Sequence, residues 1–205
     1  MSFKDFDLPK VERDFGLRVD TVHSLFAGVA AVAPHPVLLQ FLVKYGPVGM
    51  GNATEKARSE LLVAPLLAET WDRSNRVMSV LSGVAFDVDP AAGLTGICDF
   101  MLTRAPQMIF VVAPVMVVVE AKRDSIVDGL GQCAAEMVAA QRFNQKAGKP
   151  INPIYGCVTT GSIWKFLRLT DQQLDIDIDE YPITQPDRIL GILLHCCGIT
   201  PSPTQ

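Results

Sequence analysis

Glu120, Ala121 and Lys122 close one apolar stretch of the chain, and Asp99 lies in an earlier one. Strand side chains alternate faces, so Glu120 and Lys122 project together while Ala121 turns away. A carboxylate beside an ammonium, with a second carboxylate on a neighbouring strand, forms a cradle for a divalent cation and a phosphate. Hydrolysis of a phosphodiester needs an activated water, stabilised charge on the phosphorus oxygens and help for the leaving oxygen. A divalent ion lowers the pKa of bound water and acts as a Lewis acid. Magnesium takes hard oxygen ligands and keeps several waters. Asp99 and Glu120 offer two carboxylates, and the Ala121 carbonyl offers a third oxygen. Lys122 can orient the water, deprotonate it, or stabilise phosphate charge.

The elements that must hold these residues follow from pattern. Asn52 and Glu55 stand three apart, a capping-box spacing, before apolar residues at 57, 61, 64 and 68. That predicts a helix bearing Glu60 and Glu69, kinked at Pro65. Residues 84–88 and 94–103 read as a hairpin around Asp89-Pro90-Ala91-Ala92-Gly93, and Pro106-Gln107 breaks the chain after it. Residues 115–122 are Val-rich on both faces, as in a central buried strand. Residues 124–147 predict a helix capped by Asp124 or Ser125 and stopped by Gly148 and Pro150. Two more strands follow at 154–160 and 164–169, then an alternating strand at 174–179 whose aspartates would protect a sheet edge. Residues 187–197 form a last helix. Helix, three strands, helix and two or three strands imply an α/β fold with a mixed sheet and helices on both faces. Residues 1–50 read as an N-terminal extension packing on the core. It carries a helix at 37–45, stopped by Gly46-Pro47. Residues 51–198 form the main domain, and 199–205 a disordered tail.

Composition sets bounds. The chain has 205 residues, 49% of them apolar, enough for a substantial core. A net charge of −4 gives no general reason to bind nucleic acid. The basic residues are concentrated, however: Lys122, Arg123, Arg142, Lys146, Lys149, Lys165 and Arg168 follow the candidate site directly. Five cysteines without zinc spacing read as buried thiols in a reducing cytoplasm. The N-terminus is too polar for a signal peptide, and the apolar run at 108–119 is too short to span a bilayer, so no membrane association is expected. His23, His35 and His195 show no partner pattern.

On two segments the chain resembles the PD-(D/E)xK nuclease superfamily. They are Leu94-Thr95-Gly96-Ile97-Cys98-Asp99-Phe100 and Val117-Val118-Val119-Glu120-Ala121-Lys122-Arg123, followed by the helix bearing Gln132 and the strand pair at 154–169. The resemblance covers residues 52–170. It implies a restriction-endonuclease-like αβββαβ core, Mg²⁺ (with Mn²⁺ as substitute) on Asp99 and Glu120, and Lys122 as catalytic lysine. Glu60 matches an acidic residue that many members place near the metal, and Gln132 a glutamine that some place beside the site. Many restriction-like nucleases pair two sites, so a homodimer is implied as well. Cys98 stands where a proline is common. Glu136 stands where the RecB-like exonuclease branch has tyrosine, so that branch is not assigned.

Each feature has a plainer reading. Glu-x-Lys is common at strand ends, Asp99 could serve a structural ion pair with Lys122, and Glu55 and Glu69 compete with Glu60. Gly129 and Gly131 are costly inside a helix and would allow close approach of a strand or a phosphate. A basic helix face at 142, 146 and 149 is most simply a solvated one. The expectation is a cytoplasmic, Mg²⁺-dependent nuclease acting on DNA. The alternatives are a catalytically silent nucleic-acid- or protein-binding module on the same fold, and an α/β assembly protein.

Overall fold

The computed structural model describes residues 1–21, 24–52, 54–106 and 109–200. His23, Gln107 and the tail from Pro201 onward lie outside them.

The chain opens with a 3-10 turn at Phe3–Asp5 and helix α1, Leu8–Phe15, capped by Asp7. Strand β1, Arg18–Asp20, and helix α2, Pro36–Gly51, follow. A continuous helical stretch then runs as α3, Glu55–Arg58, a π-turn at Ser59–Val63, and α4, Ala64–Arg73. Next come β2, Ser79–Ala85; β3, Ile97–Thr103; β4, Val115–Ala121; and α5, Val127–Lys146. The chain ends with β5, Ile154–Thr159; β6, Ile163–Thr170; β7, Gln173–Ile176; β8, Tyr181–Pro182; and α6, Pro186–Cys196.

The strands among the described residues form one open, mixed sheet of eight, ordered β1-β7-β6-β5-β4-β3-β2, with β8 beside β6. β4 and β5 are parallel and joined across one face by α5, whereas β2, β3 and β4 meander antiparallel. Every residue of β4 is buried. Val118 feeds a core against α5 and the N-terminal segment, including Phe3, Phe6 and Met137. Val117 and Val119 feed a second core with Leu66, Leu67, Ile189 and Leu193. Strand alternation therefore turns Glu120 toward α5.

Packing revises several boundaries. α2 continues through Pro47 to Gly51 instead of stopping at Gly46. Gly49 lets it lie on the π-turn: a Cβ there would sit 3.0 Å from Leu62 Cγ and 3.1 Å from Leu61 Cβ. The Ala64 N–H reaches back to the Ser59 carbonyl in that π-turn, and Pro65, which has no N–H to donate to the preceding turn, follows it directly at the start of α4. The cap of α3 is Thr54, whose hydroxyl accepts the Ala57 N–H, and Asn52 instead accepts the Thr54 N–H. β2 begins at Ser79, earlier than its Val-rich end suggests, because its first residues pair with β3 out to Thr103. β7 is interior, since residues 1–50 contribute β1, which pairs with it in parallel. Asp175 is thus a partner of Arg168 at 2.7 Å, and Asp177 accepts the Tyr181 hydroxyl, so neither serves as an edge guard.

Candidate functional site

The site lies where β3 begins and β4 ends, beside the start of α5. The register Phe100↔Val119 closes the β3–β4 ladder. One residue further, the Asp99 carboxylate takes over the strand's role and accepts the Ala121 N–H at 2.8 Å. On the other side, the Lys122 N–H extends the β4–β5 pairing to the Thr159 carbonyl at 2.8 Å. The backbone of the Glu-Ala-Lys segment is therefore held from both flanks. Ala121 is buried.

Glu120 and Lys122 share the face toward α5, as alternation requires. The Lys122 Nζ donates to Glu120 Oε1 at 2.5 Å and to Gln132 Oε1 at 3.0 Å. Gln132 Nε2 donates in turn to Glu136 Oε1 at 3.1 Å. Asp99, Glu120, Lys122 and Gln132, singled out from sequence, thus converge. Glu120 is 2% exposed, so its ionisation must be supported by the protein. Burial, reinforced by the charge of Asp99, outweighs the Lys122 ammonium and pushes the Glu120 carboxyl up to about 7. For Lys122, burial lowers the pKa, but the charge and hydrogen bond of Glu120 prevail and hold it above the ordinary lysine range. Lys122 is therefore an ammonium at neutral pH.

Two glycines build the close approach. A Cβ on Gly129 would stand 2.6 Å from Val158 Cγ1 and 3.1 Å from Lys122 Cγ, so only glycine lets the lysine stem and β5 lie against α5. A Cβ on Gly131 would stand 2.4 Å from Asp7 Cα, so this glycine admits the N-terminal backbone. Both approaches are to protein.

Glu60 is placed apart. It is exposed, pairs with Lys56 at 3.1 Å and borders a groove lined by Val37, Leu38 and Phe41. Glu55 is the acidic helix residue whose charge acts on both Glu120 and Lys122. The end of α3 is anchored here because Arg58 Nη1 donates to the Thr160 carbonyl at 3.0 Å, next to the residue that holds Lys122. Arg142, in the basic segment, is tied to Asp89 at 2.7 Å. Sequence reasoning did not include Glu136 in the site, although its spacing of four from Gln132 puts both on one helix face.

Asp99 Oδ1 makes no hydrogen bond among the described residues, and Glu120 Oε2 is buried without a partner. Two hard oxygens on adjacent strand ends are thus uncommitted, a donor set suited to Mg²⁺ completed by water and substrate. No three His, Cys, Asp or Glu side chains among the described residues converge as a ready-made metal group. Nothing matches this chain among family models, curated proteins or solved structures. No helix among the described residues is long and apolar enough to cross a membrane.

Proposed function

We propose that this protein is a Mg²⁺-dependent nuclease of the PD-(D/E)xK type, with a restriction-endonuclease-like core, that hydrolyses phosphodiester bonds in DNA. One observation carries the reading: Asp99, Glu120 and Lys122 meet at adjoining strand ends, with an oxygen of the buried Glu120 that has no partner among the described residues. The order α4, β2, β3, β4, α5, β5 supports it, with β4 and β5 parallel.

Asp99 and Glu120 would hold the cation, with the Ala121 carbonyl as a third oxygen. When bound, the ion would supply an acidified water and Lewis-acid stabilisation of the phosphate. Lys122 remains charged, which favours neutralising the phosphorane oxygens or orienting the water over abstracting its proton. Gln132 and Glu120 together aim the ammonium. Glu120 must be ionised to accept a cation, so the ion competes with a proton below about pH 7.

A second reading has its own support. The short Lys122–Glu120 pair and the Asp99–Ala121 bond close the cluster on itself, as a structural lock in a catalytically silent nucleic-acid-binding module would. Calorimetric titration of Mg²⁺ and Mn²⁺ separates the two. The nuclease reading requires saturable binding that is lost in Asp99→Asn. Absence of binding in the wild type at millimolar metal, with DNA binding intact, favours the module.

A further inference from the structure

Glu136 has no surface exposure, yet it lies in the middle of α5 with an ionisable group turned into the sheet. Its Oε1 accepts from Gln132 Nε2 at 3.1 Å, and its Oε2 has no partner among the described residues. A carboxylate supported by one neutral donor in such surroundings would be very costly. Burial, followed by the charge of Glu120, accordingly holds this carboxyl well above the ordinary range. Whether protonated or ionised, the carboxyl offers Gln132 an acceptor oxygen.

That oxygen has a specific use. Lys122 is a donor only, so Gln132 must show it the amide oxygen. The amide nitrogen is then forced toward the interior, where a residue only 3% exposed finds no bulk water. It needs an acceptor, and Glu136 supplies one a helical turn further on. We propose that Glu136 is a positioning residue that locks the Gln132 carboxamide with its oxygen toward Lys122, and so sets the aim of the ammonium. The chain of contacts runs Glu136, Gln132, Lys122, Glu120 without a break. Without the acceptor, the amide gains by turning its nitrogen away from the core, and Lys122 loses one of its two acceptors. This inference rests on the nuclease reading for its catalytic consequence, but the lock itself is independent of it.

Two substitutions test it. Glu136→Gln keeps an acceptor oxygen and no charge, whereas Glu136→Leu keeps volume and removes the acceptor. The Lys122 ammonium is followed by nitrogen-detected NMR of the lysine Nζ protons, and cleavage is measured in parallel. The lock predicts that Glu136→Gln retains the slowly exchanging Lys122 signal and cuts DNA within about twofold of wild type. Glu136→Leu should lose the signal and cut about ten- to a hundredfold more slowly, with an unchanged circular dichroism spectrum. If Glu136→Leu does not fold, Glu136→Met takes its place. A wild-type signal and rate in the acceptor-free variant would overturn the proposal. Equal losses in Gln and Leu variants would also overturn it, because the carboxyl itself, and not an acceptor oxygen, would then be what matters. A wild type that never cleaves refutes the nuclease reading alone, and the NMR comparison still decides the lock.

Discussion

Glu120 couples the candidate chemistry to stability, with a sign that can be worked out. Its carboxyl is pushed from 4.5 to about 7 by burial and by Asp99. Between these values the folded protein keeps a proton that the unfolded chain has released, so stability falls as pH rises. The loss begins near pH 4.5 and is complete above about 7, and that displacement corresponds to roughly 3 kcal/mol. Glu120→Gln mimics the neutral acid and removes the titration. The variant should match wild type near pH 4 and exceed it by roughly 3 kcal/mol at pH 8. Urea unfolding at half-unit pH steps, followed by circular dichroism, reads this directly as a diverging midpoint. Adding Mg²⁺ at pH 8 should raise the wild-type midpoint and leave the variant unmoved. Parallel pH profiles, or a variant less stable at pH 8 than wild type, would refute the reasoning. Either would mean that Lys122 stabilises the ionised Glu120 at least as much as burial and Asp99 oppose it.

Other consequences follow from the same contacts. Gly131→Ala drives a methyl into the Asp7 backbone at 2.4 Å and should cost about 1–3 kcal/mol in thermal or urea unfolding, despite the better helix propensity of alanine. Asn144→Ala strips Val115 of bonds to both its N–H and its C=O, each 2.8 Å long and buried, and should cost about 2–4 kcal/mol by the same assay. Glu55→Gln removes a charge that raises Glu120, so the alkaline rise in metal affinity should move to lower pH, while Glu60→Gln should leave it in place.

Much of the site was legible because it is written in strand periodicity. An alternation of two puts Glu120 with Lys122 and against Ala121, and the Val-rich run before them marks a strand buried on both faces. Gly129 and Gly131 were legible as anomalies, since glycine inside a helix demands a neighbour. Which neighbour was not legible, because Val158 and Asp7 arrive from distant parts of the chain. Glu60 and Glu55 could not be separated by spacing alone. The tertiary fold separates them: Glu60 is exposed and paired with Lys56, whereas the charge of Glu55 acts on Glu120 and Lys122. The edge assigned to the Asp175 strand failed for the same reason. The three-residue β1 has no periodicity to read and exists because β7 offers it a partner. Glu136 escaped because a charged residue in a helix reads as solvent-facing until its burial is seen.

The most direct measurement is cleavage of a substrate panel comprising supercoiled and linear duplex DNA, single strands, branched DNA and RNA, in Mg²⁺ and Mn²⁺, by wild type beside Asp99→Ala and Lys122→Ala. A nuclease built on these strand ends cuts DNA only with metal, and both variants fold but do not cut. Wild-type-like cutting by both variants, or no cutting by a folded, metal-loaded wild type on any substrate, would contradict it.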